Sequence, residues 1–141
     1  VAYGIDQLEN MYKDIGSGMT GELEKAVPET EFLSLLKSTF NVKTLKHTAL
    51  LNKPVKKVAL CGGSGSFLLK QAINSKSDIY ISSDFKYHEF FDAENRILVA
   101  DIGHYETEQF TPEIFYEIIS NKFPTFASYL TETNTNPVNY F

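Results

Sequence analysis

This sequence predicts a layered α/β domain with a mostly parallel or mixed central sheet, and three observations carry that expectation. Short aliphatic runs recur at residues 57–61, 78–82 and 97–100. Each run gives way to glycine, serine or aspartate, the residues that punctuate strand ends. Between the runs lie stretches with helical spacing, and strands joined in that way run parallel.

The elements follow in order. Residues 1–24 have weak periodicity and four glycines, Gly4, Gly16, Gly18 and Gly21, and read as an entry segment with little core of its own. Residues 28–40 predict a helix: Pro28 stands in the first turn, Glu29 and Glu31 near its positive end, and Phe32, Leu33, Leu36 and Phe40 form a stripe. Residues 42–48 alternate as a half-buried strand does. The run Lys57-Val58-Ala59-Leu60-Cys61 predicts a buried strand that stops at Gly62-Gly63. Phe67, Leu68, Ala72 and Ile73 then predict a helix over 66–74. A second buried strand is expected at 78–82, a helix at 86–94 and a third strand at 97–100. A helical segment begins near His104 and, past Thr111-Pro112, reaches about Phe123. A last strand is expected at 125–130, before a polar tail.

Composition bounds the function. A chain of 141 residues has room for one domain and its own core. Its 43% hydrophobic and 22% charged residues place it among globular chains. Thirteen basic against 18 acidic residues leave a net charge of −5, a field that repels phosphate backbones, so no nucleic-acid partner is expected. No apolar run approaches 18 residues, so no membrane span is expected either. A single cysteine forms no internal disulfide, which fits a reducing, cytoplasmic setting. The first residue is Val1, and the chain reads as a cut piece or processed product.

Ligands of open α/β sheets bind beyond the carboxyl ends of the strands. Three such ends here carry unusual residues: 62–66, 82–88 and 101–108. The Gly-Gly-Ser-Gly-Ser turn is either an anion seat made of successive N–H groups or simply a tight strand-to-helix turn. It lacks the lysine of a P-loop. Cys61 beside it reads as a small buried residue rather than a nucleophile. His104 and Glu108 stand four apart, one helical turn, and can reach one cation of the zinc, iron, manganese or nickel kind. The alternative is a surface hydrogen-bonded pair. Asp84 and His88 repeat the spacing, either as a proton-transfer pair or as a helix cap beside a partly exposed histidine. His47 is assigned no role.

The blocks running from Lys57 to Gly65, from Asp78 to His88 and from Asp101 to Glu108 together resemble the carboxy-terminal half of the GTP cyclohydrolase I type 2-like proteins. These are also called the NGG-interacting-factor-three-like family. The resemblance covers about residues 15–141, in order and spacing, and includes Gly16-Ser17-Gly18-Met19-Thr20-Gly21-Glu22-Leu23. It implies that residues 1–20 close a preceding inserted domain or linker, and that 21–141 form one half of a two-half cleft protein. It also implies two divalent metal ions in the cleft of the complete protein, with His104 and Glu108 as ligands from this half. The other half would supply an adjacent histidine pair and an aspartate. This chain holds no such pair, its three histidines being His47, His88 and His104. On this leading reading Asp84 and His88 would line the cleft as proton-transfer or substrate-orienting groups. The complete protein is expected to be a homo-oligomer, a toroidal hexamer, acting as a hydrolase on a nucleotide-like small molecule. The competing reading is a non-catalytic metal-binding interaction or regulatory protein. In either, His104 as a ligand should donate from its other ring nitrogen to a carboxylate or a backbone carbonyl, and Asp101 is the nearest candidate in sequence.

Overall fold

The computed structural model describes residues 16–141, and most of the expected segment 1–20 lies outside them. Two compact units form, one ending at Thr107 and one running from Glu108 to Phe141.

The first unit is built on five strands, β1 (Met19–Val27), β2 (Lys46–His47), β3 (Val55–Ser64), β4 (Ile79–Ser83) and β5 (Leu98–Asp101). Their order across the sheet is β1-β3-β4-β5-β2. The three central strands are parallel and the two outer ones antiparallel, so the sheet is mixed. Helix α1 (Glu29–Thr39) follows β1, and α2 (Leu69–Asn74) makes the crossover from β3 to β4 after a 3-10 turn at Ser66–Leu68.

Successive side chains of a strand face opposite sides, so each central strand feeds two layers. Val58, Ile79, Ile81, Leu98 and Ala100 pack with Phe32, Leu33 and Leu36 of α1. Ala59, Cys61, Tyr80, Ile97 and Val99 pack on the other face with Leu68, Leu69 and Ala72. Helices therefore cover both faces, as a sheet with continuous apolar strands requires.

Several expectations need correction. The entry segment contains most of β1, because Met19, Thr20, Gly21 and Glu22 pair with Leu60, Ala59, Val58 and Lys57. The strand expected at 42–48 shrinks to the two residues of β2, Lys46 and His47, which pair with Asp101 and Ala100 of β5. Strand β3 does not stop at Gly62-Gly63 but runs on to Ser64. Its register with β4 shifts after Leu60, and Gly63 takes φ 64°, a left-handed value that glycine tolerates. The helix expected at 86–94 is a 3-10 segment, Tyr87–Ala93, closed by Glu94 and Asn95 in left-handed conformation.

In the second unit, α4 (Thr111–Lys122) starts on Thr111-Pro112 as expected, and none of its residues is buried. No strand forms at 125–130. A turn from Phe126 N–H to Phe123 O takes its place, and Phe126 and Tyr129 are exposed. β-prone side chains make a strand only where a ladder partner and a buried face exist, and these residues have neither. Helix α3 (His104–Glu108) spans the boundary between the units.

Candidate functional site

The parallel register brings the carboxyl ends of the central strands level. Ser64 of β3 stands opposite Ser83 of β4, and Ser82 opposite Asp101 of β5. The loops that follow these strands, beginning at residues 65, 84 and 102, thus share one end of the sheet, as the sequence predicts.

The end of β3 and the turn after it are knitted to their neighbours. Ser82 and Ser83 donate to Gly63 O at 3.0 and 2.6 Å, and Tyr80 Oη donates to Gly65 O at 2.7 Å. Burial holds the Tyr80 phenol well above its ordinary pKa, so it remains a donor. Gly63 N–H donates to Thr107 Oγ1 at 2.8 Å, and Thr107 Oγ1 donates to His104 O at 2.7 Å. The Gly63 amide, one of the N–H groups of that segment, is thus engaged by Thr107. Cys61 is buried, its Sγ 3.1 Å from Ser17 O, as a small core residue is.

Two acids organise the other loops. Asp101 is 3% exposed; its Oδ2 accepts from Phe85 N–H at 3.1 Å and from Lys46 Nζ at 2.7 Å, and its Oδ1 from Gly103 N–H at 3.2 Å. Asp84 lies between β4 and the 3-10 segment with φ 58°. Its Oδ2 is 2.6 Å from His104 Nδ1, and both side chains are about half exposed, at 48% and 52%.

The histidine's carboxylate is therefore Asp84, not Asp101. Asp101 is committed to two backbone amides and a lysine, while Gly103, at φ 99°, turns the chain before His104. Asp84 and His88 do not share a helical face, because Asp84 precedes the 3-10 segment, whose N-cap is Lys86. Glu89 closes that end by accepting from Lys86 N–H at 2.7 Å and from Ser66 Oγ at 2.9 Å. His88 is exposed, its ring edge-on to Tyr87 at 5.1 Å. His47 is exposed and donates from Nδ1 to Thr48 O at 2.6 Å. His104 opens α3 and Glu108 closes it.

Sequence reasoning passed over Thr107 and the clamp at Asp101. The signal for the clamp was present, an aspartate two residues before a glycine at a strand end. A cavity of about 310 Å³ lies elsewhere, between β1, β3 and α2, with Thr20, Leu60, Gln71 and Tyr80 among its lining. None of the expected site residues lines it.

Residues 3–137 match the family model described as Duf34/NIF3 (NGG1p interacting factor 3). The chain belongs to that family. A curated relative from Staphylococcus epidermidis, named GTP cyclohydrolase 1 type 2 homolog, is 31% identical over 139 residues, which cover 93% of this chain and 37% of the relative. The crystal structure of a Bacillus cereus protein related to NIF3 matches with TM-score 0.77 and 25% identity, over 95% of this chain and 38% of that one. Staphylococcus aureus protein SA1388 shares the fold, with TM-score 0.77 and 23% identity, over 89% of this chain and 42% of that one. The chain thus spans somewhat over a third of the length of the curated relatives it matches. The mixed sheet with helices is the fold of these NIF3-like neighbours.

Proposed function

We propose that this chain contributes one half of the metal site of a hydrolase-like protein, with His104 and Glu108 as its ligands. The observation that carries the reading is the contact of His104 Nδ1 with the Asp84 carboxylate. Metal-binding histidines characteristically give their second nitrogen to such a group, which raises the basicity of the first. With the proton on Nδ1, the ring's lone pair is on Nε2.

The donors fit such a site in part. An imidazole begins α3 and a carboxylate ends it, one helical turn on, a spacing at which both can reach one ion. Among the described residues no group of three or more His, Cys, Asp and Glu is arranged to hold an ion. The rest of the shell then comes from water or from residues beyond those described. Divalent ions of the zinc, iron, manganese or nickel kind, two in the complete protein, would supply a hydroxide at neutral pH and polarise the centre it attacks. Asp84 holds the ligand ring, and His88, exposed on the following segment, would exchange protons with solvent or a small nucleotide-like substrate. The name GTP cyclohydrolase 1 type 2 homolog, carried by the relatives, supports hydrolytic chemistry. Assembly as a toroidal hexamer and a cytoplasmic setting belong to the same proposal. No helix of the described residues is long and apolar enough to cross a membrane.

A second reading, a non-catalytic metal-binding interaction protein, is favoured by one feature. Helix α4 exposes Ile114, Phe115, Ile118 and Ile119, an apolar row of the kind that marks contact surfaces.

The test is metal content per chain, with nucleotide hydrolysis measured with and without chelator, in a protein of the relatives' length that contains this sequence. His104→Ala is expected to lose at least one ion per chain while melting normally, and His47→Ala to lose none. Full occupancy in His104→Ala removes the ligand assignment, and Glu108 falls with it. Retained metal in the unaltered protein without turnover of any nucleotide selects the second reading.

A further inference from the structure

We infer that Asp84 is the positioning residue for His104, fixing its imidazole as the Nδ1–H tautomer, with Asp101 as the clamp that holds the two loops in place. The purpose of that arrangement rests on the metal reading above; the arrangement itself does not. Twenty residues separate Asp84 from His104, yet their side chains meet at 2.6 Å. Nothing local brings them together.

What brings them together is backbone geometry. Asp84 occupies the left-handed region, φ 58°, which side chains other than those of Gly, Asn and Asp rarely adopt. Gly103, the residue before His104, has φ 99°. Both members of the pair are thus delivered by reversals of the chain that a regular strand-to-helix connection does not need. Aspartate and glycine tolerate these conformations, but something must select them. Asp101 does so through the amides on either side. One of its oxygens receives Phe85 N–H, next to Asp84, and the other receives Gly103 N–H, next to His104. The buried carboxylate thereby fixes the spacing between the two loops, and Lys46 balances its charge at 2.7 Å.

A carboxylate can only accept, so the ring nitrogen it meets must carry the proton. An asparagine at 84 would keep the left-handed backbone but could present its NH₂ to Nδ1, which favours the opposite tautomer. Replacement of the orienting aspartate of a serine-protease triad by asparagine acts in that way.

The experiment is long-range ¹⁵N–¹H spectroscopy of the three imidazoles in the full chain near pH 8, above the usual histidine range. His104→Ala assigns the signals. Unaltered protein should show His104 protonated at Nδ1, and Asp84→Asn should shift it toward the Nε2–H form. Asp92→Asn, an exposed aspartate on the neighbouring 3-10 segment, should leave it unchanged. With Zn²⁺ alone as probe, half-saturation in Asp84→Asn should need a concentration about 10- to 100-fold higher. An unchanged Nδ1–H signal in Asp84→Asn overturns the inference, as does measurable and equal saturation of the two proteins by Zn²⁺. If Zn²⁺ leaves His104 of the unaltered protein untouched, the metal reading falls, and the tautomer result alone decides the role of Asp84.

Discussion

A Cβ built on Gly65 would lie 2.3 Å from Ser82 Oγ, 2.7 Å from Tyr80 Oη and 2.9 Å from Cys61 Cβ. Those three atoms belong to the interior of the sheet, and Gly65 O also accepts the tyrosine hydroxyl. The glycine is there for close approach rather than for an unusual φ. Gly65→Ala is expected to cost about 1–3 kcal/mol, the usual range for overpacking. It should appear as a lower urea midpoint at unchanged slope. An unchanged midpoint would mean that the turn can move away from β4, and that the serine and tyrosine contacts are not rigid.

At the scale of elements, the 3-10 segment Tyr87–Ala93 owes its start to Glu89. That carboxylate accepts from Lys86 N–H and from Ser66 Oγ, and these bonds hold its pKa below the ordinary glutamate value. A carboxyl group lowered in the folded state adds stability at neutral pH, and loses it as pH falls through the folded value. Glu89→Gln should therefore melt slightly lower than the unaltered protein at pH 7, with the difference shrinking as pH falls below the ordinary glutamate range and vanishing below the folded value. Parallel melting series across that window decide it; a difference independent of pH would assign the effect to shape rather than charge. Helix α1 shows the same economy, since the buried Glu29 accepts from Leu51 and Asn52 N–H, both at 2.9 Å, and so ties the loop before β3 to the helix start.

For the molecule as a whole, burial is divided unevenly. Among the described residues every buried apolar side chain, from Phe32 to Ile102, lies in the first unit, while α4 exposes its large apolar side chains. Stability should follow that division. Leu98→Ala, at a site with no exposed surface, is expected to cost about 2–5 kcal/mol. Ile118→Ala, 54% exposed, should stay within about 0.5 kcal/mol. Chemical denaturation of the two variants compares them directly. A large loss in Ile118→Ala would show that α4 is covered in solution, by a second copy of the chain or by a contact of its own.

Local pattern was enough for α1, for the three central strands and for the convergence of their carboxyl ends. Periodicity reports burial, and a buried parallel strand announces itself by a continuous apolar run. The same logic misread residues 125–130, where Thr, Phe and Tyr have strand propensity but no ladder to join. It also placed the carboxylate for His104 three residues away, at Asp101, instead of twenty away at Asp84. That pairing depends on the signs of φ at Asp84 and Gly103 and on which amides Asp101 receives. None of these leaves a periodic trace in the sequence. The residue types of the candidate site were therefore legible in the chain, but their partners were decided by how three loops meet across the sheet. The physical reason is that side-chain burial is set along one strand, whereas a hydrogen bond between loops needs several backbone turns to be correct at once.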